Sequence, residues 1–426
     1  MNVPVFLARR IRHAPIASFS NTVTKVGIGS IAVGLAVMIV AFSVLFGFKN
    51  TIQQKIFLFA AHMQVSKFTM NVSYEGPPLP LHSDLYDNAR RINGIQHIQG
   101  VATKAGILQT SSELGGAVFK GVGRDYNWQL LRESLVAGTV PDAQADSAYS
   151  SQILISRRMA DQLQLTVNQS LIMYFINGPA RPERSQAQNN DGTGGITPPR
   201  PRKLMVSGIY ETGLEEFDNT VILGDIRLIQ RLNNWGPDSV GSYEIFVDDF
   251  TRLDETSRDV FDRITPDMRL AKVTEQYRPL FDWMVLLDRN TVVFLVLILF
   301  VASFNMVSVL LVLMMERTPM IGLLKALGSD DSLLRRLFLY VGLNMVGWGL
   351  LIGNGVGIGV CWLQDRFRII PLDPKNYYMS YVPITWDWSV ILLLNLATLV
   401  LIAAVLWLPT LVINRIQPVR ALVFKK

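Results

Sequence analysis

The sequence predicts a membrane α-helical bundle of four transmembrane helices with a large α+β domain, placed outside the cytoplasm, between helices 1 and 2. Three observations predict it. Half of the 426 residues are hydrophobic and only 17% are charged, too apolar a balance for an ordinary soluble chain. Four charge-free runs, 26–48, 291–315, 337–364 and 388–414, exceed the roughly 20 residues that a helix needs to cross a bilayer. The stretch 49–290 has charges, turn residues and short apolar segments instead, and its roughly 240 residues suffice for a core of their own.

Lysine and arginine beside the spans set the orientation. The N-terminal arm, 1–25, carries Arg9, Arg10, Arg12 and Lys25, and the tail, 415–426, carries Arg415, Arg420, Lys425 and Lys426, with no acid in either. Segment 316–336 after the second span adds Arg317, Lys325, Arg335 and Arg336. All three are expected in the cytoplasm, which leaves 49–290 and the loop 365–387 outside it. The first run is expected to be a retained anchor, because it outruns a signal-peptide core and Gly47-Phe48-Lys49 offers no small-residue cleavage site. The net charge of +6 follows from this anchoring pattern and does not point to nucleic acid. A lone cysteine, Cys361, excludes an intrachain disulfide.

Each element follows from its pattern. Ile52, Ile56 and Phe59 keep a helical stripe beyond the first span, and Tyr277, Leu280, Phe281, Met284 and Leu287 lead into the second, so both helices are expected to extend as stalks. Between them strands are predicted at 62–67, 95–110, 117–122, 152–155, 170–176, 203–210, 219–223 and 241–247. Helices are predicted at 84–93, ending at Asn93-Gly94, and at 128–136, 157–163, 226–232 and 255–264. Segment 177–202, with Pro179, Pro182, Pro198, Pro199 and Pro201 around a polar tract, interrupts this order. It reads either as a surface loop without structure or as an interaction loop.

No catalytic constellation appears, so the chain is not expected to be an enzyme. His13, His62, His82 and His97 are scattered, and neither a nucleophile elbow nor a Walker A sequence is present. No metal or cofactor site is predicted. Glycines 353, 355, 357 and 359 lie inside an apolar span, where small residues let helices approach closely. The spans contain no Asp, Glu, Lys or Arg, which argues against an ion pathway and fits either a packed bundle or a greasy substrate. Asn305, Asn344 and Asn354 are expected to hydrogen-bond between helices.

The cytoplasmic segment from Glu316 to Gly328 reads E-R-T-P-M-I-G-L-L-K-A-L-G. Met320, Leu323, Leu324 and Leu327 recur at helical spacing and Gly328 can cap the helix. Such a helix can lie on lipid or dock in a groove of a partner. The segment resembles the coupling segment of ABC-transporter permeases of the MacB/FtsX superfamily, and Pro418-Val419-Arg420-Ala421-Leu422 resembles their C-terminal signature. Gly47-Phe48 through Val65, the run V-S-G-I-Y-E-T-G-L-E-E-F-D from Val206 to Asp218, and Ile370-Pro371-Leu372-Asp373 with Tyr377-Tyr378 and Val382-Pro383-Ile384 resemble the lipoprotein-releasing, LolC/LolE-type branch.

That resemblance implies a multi-pass inner-membrane permease with both termini cytoplasmic and its large domain periplasmic. It would work with a second permease subunit, of the same or a different chain, and with a cytoplasmic ABC ATPase dimer that binds the ATP and magnesium. The substrate would be a lipoprotein, released to a periplasmic carrier. Glu316, Arg317, Met320, Leu323, Leu324, Leu327 and Gly328 would contact the ATPase. Phe42, Leu45, Phe46, Phe48, Phe294, Leu297, Phe300 and Phe304 would line an acyl-chain path. The five prolines of 177–202 would dock the carrier. Export of peptides or amphiphiles by a MacB-like pump, and FtsX-like signalling to cell-wall hydrolases, are the alternative activities.

Overall fold

The structure, a computed structural model, describes residues 19–69, 75–110, 113–132, 134–141, 149–176, 199–373, 377 and 379–410. The chain forms two compact units: residues 1–51, 282–372 and 381–426 in one, residues 52–281 and 373–380 in the other. Helix α1 (Phe19–Phe59) contributes to both. Its final turns bury Ile52, Ile56 and Phe59, the stripe read as a stalk.

The sheet-bearing unit continues with β1 (Met63–Lys67), β2 (Leu79–Pro80), α2 (Asp84–Asp87), β3 (Ile95–Gln109) and β4 (Leu114–Val122). Then come α3 (Gln129–Arg132), β5 (Leu135–Gly138), β6 (Gln152–Ser156), α4 (Arg157–Gln162), β7 (Ser170–Phe175) and β8 (Arg200–Tyr210). It ends with α5 (Glu215–Asp218), β9 (Val221–Asp225), α6 (Ile226–Leu232), β10 (Ser239–Val240), β11 (Ser242–Val247), α7 (Leu253–Phe261), β12 (Met268–Lys272) and α8 (Val273–Gln276).

The main sheet runs β12-β1-β11-β3-β4-β9-β6-β8-β5, and β7 pairs with both β3 and β8. The path β3-β4-β9-β6-β8-β7 therefore closes on itself, while β11, β1 and β12 extend it as a wing. Strand β3 serves both parts because it is long: residues 95–101 pair with β11 and residues 106–109 with β7. One face of the wing buries Met63, Val65, Tyr243 and Ile245 in a core shared with Leu228, Ile229 and Leu232 of α6.

Three local expectations change. The helix expected over 84–93 is the short α2 followed by a 3-10 turn, because the Asn88 amide closes on Asp84 O and its side chain bonds the Asp84 carboxylate at 2.8 Å. The helix expected over 128–136 stops at Arg132, since β5 pairs with Tyr210, Ile209 and Gly208 of β8. Strand β12, which the sequence did not suggest, pairs along all of β1. Gly94, at φ +90°, supplies the left-handed residue expected there.

The helical unit adds α9 (Arg278–Glu316), α10 (Thr318–Ala326), α11 (Asp331–Phe367) and α12 (Trp388–Thr410). With α1, three of these are long and apolar enough to span a membrane. Glycines of α11 meet α1 backbone to backbone: a Cβ added at Gly353 would sit 2.8 Å from Ala32 O, and one at Gly357 3.1 Å from Ala36 Cα. Asn354 and Asn395 exchange amide hydrogen bonds at 2.6 and 2.9 Å between α11 and α12, so one of the expected asparagines finds an interhelical partner that the sequence did not single out. At the stalk bases Lys49 pairs with Asp288 at 2.7 Å, and Phe48 packs edge-on to Trp283 with centroids 5.6 Å apart.

Candidate functional site

Four groups of residues are candidates for function, and the segment read as the ATPase contact comes first. Helix α10 starts with Pro319 in its first turn, stops at Leu327, and is followed by Gly328 at φ +87°. Its stripe splits in two. Met320 and Leu324 pack with buried Ile321 against Met314, Leu334, Leu337 and Phe338, whereas Leu323 and Leu327 are 53% and 76% exposed. Lys325 bridges to Asp331 at the start of α11 at 2.9 Å. Arg317 and Arg335 each bury an Nε that has no hydrogen-bond partner among the described residues. The segment thus offers an apolar outer edge next to basic groups.

The eight residues read as an acyl-chain path divide between two surfaces. Phe294, Leu297, Phe300 and Phe304 stand exposed along α9. Phe42, Leu45, Phe46 and Phe48 are half-buried; Phe42 stacks on Phe46 with centroids 5.9 Å apart. Phe42 also joins the cluster that holds Leu295, Ile298 and Leu299, which occupy the other face of α9. One chain alone therefore does not gather the eight into a single pocket.

Of the prolines read as docking the carrier, Pro179, Pro182 and Pro198 lie outside the described residues, and Pro199 immediately precedes β8. Pro201 is a correction. It is part of β8, paired with Tyr174 of β7, and not part of a loop. The strand tolerates it because β6 joins β8 only from Met205 onward, which leaves the other side of β8 open where the missing N–H would matter. Phe175 and Arg200, which flank segment 177–198 in the sequence, pair across β7 and β8.

The fourth group was missed by the sequence. At the end of α1, Lys120 of β4 donates to Phe59 O at 2.7 Å and pairs with Glu244 of β11 at 2.6 Å, both side chains 7% exposed. Gln99 donates to the other Glu244 oxygen at 2.8 Å. A cation is thereby placed on a carbonyl that the helix end leaves open, where the helix dipole favours it. Phe59 also stacks on Phe217 and Tyr210, with centroids 5.3 and 5.0 Å apart, and Phe217 meets Tyr277 at 5.6 Å. A cavity of about 660 Å³ opens here, lined by Phe59, Gln64, Lys120, Phe217, Glu244 and Tyr277 among others.

The run from Val206 to Asp218 builds the other side of this joint. Asp218 accepts from Thr212 N at 3.2 Å, Thr212 Oγ1 at 2.7 Å and Gly213 N at 2.8 Å. The loop so closed presents Thr212 O to the Lys55 ammonium of α1. Burial draws the Lys55 pKa below the usual lysine range, and Asp218 and Glu211 oppose that shift. The only prior signal was the motif's resemblance, which named the residues but not their task.

His62 lies beside this joint and accepts a hydrogen bond from Val247 N through Nδ1 at 2.8 Å, with Phe57, Phe246 and Phe250 around its ring. Burial pulls its pKa from 6.5 to about 4. The unfolded chain takes up this proton near pH 6.5 and the folded chain only near 4, so stability falls as pH drops through that window, by roughly 3 kcal/mol in all. Thermal unfolding of the full chain at pH 7.5, 6 and 5 should show the loss, and His62→Gln should remove that part of the slope. Identical slopes for the two proteins would refute it.

The chain is similar to several known proteins. The FtsX-like permease C-terminal family matches residues 292–418. A lipoprotein-releasing system transmembrane protein LolC from Xylella fastidiosa (strain 9a5c) is 23% identical over 97% of both chains. A lipoprotein-releasing system transmembrane protein LolE from Haemophilus influenzae is 20% identical over 99% of both. The periplasmic region of MacB from Actinobacillus actinomycetemcomitans aligns with 53% of this chain and 95% of its own at 11% identity, with a TM-score of 0.33. The chain is thus similar along nearly its whole length to LolC and LolE proteins, and its last three spans match the FtsX-like permease C-terminal family.

Proposed function

We propose that this chain is the permease subunit of an ABC transporter that releases lipoproteins from the inner membrane to a periplasmic carrier, with ATP hydrolysed by a separate subunit pair. The observation that carries the reading is its end-to-end similarity to lipoprotein-releasing permeases. In this reading Leu323 and Leu327 sit in a groove of the ATPase while Met320, Ile321 and Leu324 hold α10 to its own bundle. The exposed face of α9 meets the acyl chains between two permease subunits, and the ends of segment 177–202 receive the carrier.

Depletion of the chain should make lipoproteins accumulate in the inner membrane, and their normal delivery after depletion would end the proposal. Replacing the exposed Leu323 and Leu327 by Asp should abolish stimulation of the ATPase and its co-purification, with membrane insertion intact; unchanged activity would exclude α10 as the contact. Photo-crosslinkers at Phe294 and Phe300 should capture lipoprotein more strongly than those at the half-buried Phe42 and Phe46. Capture of phospholipid alone at all four would remove them from the substrate path.

A further inference from the structure

A second apolar site lies on the opposite side of the glycine run. A groove of about 610 Å³ separates α11 from α12, with Gly355 and Gly359 in its floor and Trp362, Trp386 and Trp388 at its walls. Unlike Gly353 and Gly357, which meet α1, a Cβ added at Gly355 or Gly359 would find nothing within 4 Å. Trp386 stacks on Trp388 with centroids 6.0 Å apart and donates through Nε1 to Asp365 at 3.1 Å. Asn354, also in the lining, has both its amide groups engaged by Asn395 and Leu350, so it presents no unmet polar demand.

The groove has a charged end. Gly355, Gly359, Trp362 and Arg366 recur at i, i+4, i+7 and i+11, one face of a helix. Exposed Arg366 therefore lies on the same helix face as the groove, one turn beyond Trp362 and outside its lining. Arg368 follows, over the Tyr381 ring at 4.2 Å. Tryptophans gather at the headgroup level of a bilayer, which sets the tryptophan rim and Arg366 near the phosphates and the glycine floor, deeper along α11, among the acyl chains.

A packed helix is the competing occupant and fits poorly. Small residues favour helix pairing because backbones can touch, but a helix is about 10 Å wide and the tryptophans on both sides hold it off the glycine floor. A single flexible chain can enter. Acyl chains gain little from leaving other lipid for a protein groove, since lipid tails are as apolar as leucine, so selectivity must come from the charge. We propose that this groove binds one acyl chain of an anionic phospholipid, with its phosphate at Arg366.

The test uses the full chain in nanodiscs of mixed phosphatidylcholine and phosphatidylglycerol, with photoactivatable acyl-chain probes of each lipid. The phosphatidylglycerol probe should label Ile358, Trp362 and Trp388 about fivefold more than the phosphatidylcholine probe. Arg366→Gln, a surface change, should equalise the two probes while labelling persists. Gly359→Leu should cut labelling by both. Equal labelling in the wild type, or labelling unaffected by Gly359→Leu, would overturn the proposal. So would a Gly359→Cys variant that forms a disulfide with a second copy and loses the label, since the groove would then be a protein interface.

Discussion

Replacing Lys120 with Met should destabilise the sheet-bearing unit by about 3–5 kcal/mol, because a buried carboxylate loses its counter-ion. Glu244 would keep only the Gln99 amide, and Phe59 O would lose its donor. The cause is electrostatic, so a second change should relieve it: Lys120→Met with Glu244→Gln removes the unpaired charge while leaving a side chain that can hydrogen-bond Gln99. Thermal unfolding and protease resistance of the four proteins of this cycle give the coupling energy. A single Lys120→Met variant within about 1 kcal/mol of wild type would show that the pair contributes nothing beyond its packing.

Asp218→Ala should have an effect of similar size, about 3 kcal/mol, since three donors with little access to water lose their acceptor at once. The Thr212 amide and hydroxyl and the Gly213 amide all converge on that carboxylate, and Gly213 holds a left-handed φ of +76° that the closed loop requires. Amide exchange at Thr212 and Gly213 should accelerate by roughly a hundredfold. Asp218→Asn, which keeps one acceptor oxygen, should fall between. Exchange unchanged in the alanine variant would mean that the loop is held by Phe217 alone.

The spans were legible because bilayer thickness demands long uniform runs, and helix α10 because its stripe, proline and Gly328 all lie within a dozen residues. Long-range pairing hid the rest. Strand β12 reads as M-R-L-A-K, too polar to mark a strand, and exists because β1 supplies its hydrogen bonds. Lys120 and Glu244 sit in strands where an isolated sequence gives no reason to pair a charge with another 124 positions away. The acyl-path residues share a residue type, but their division between exposed and half-buried surfaces depends on which face of α9 packs inward, a choice that Leu295, Ile298 and Leu299 make.

The contact of Gly353 and Gly357 with Ala32 and Ala36 ties α11 to α1 at the level of the backbone. Where two backbones touch with no long side chains between them, a larger residue at either glycine would have to push the helices apart. Helix α10 joins the same packing through Ile321 against Leu334 and Leu337 and through Lys325 with Asp331. The outer edge of α10 is thereby linked to α1 by continuous contacts through α11, although α1 and α10 stand more than two hundred residues apart in the sequence.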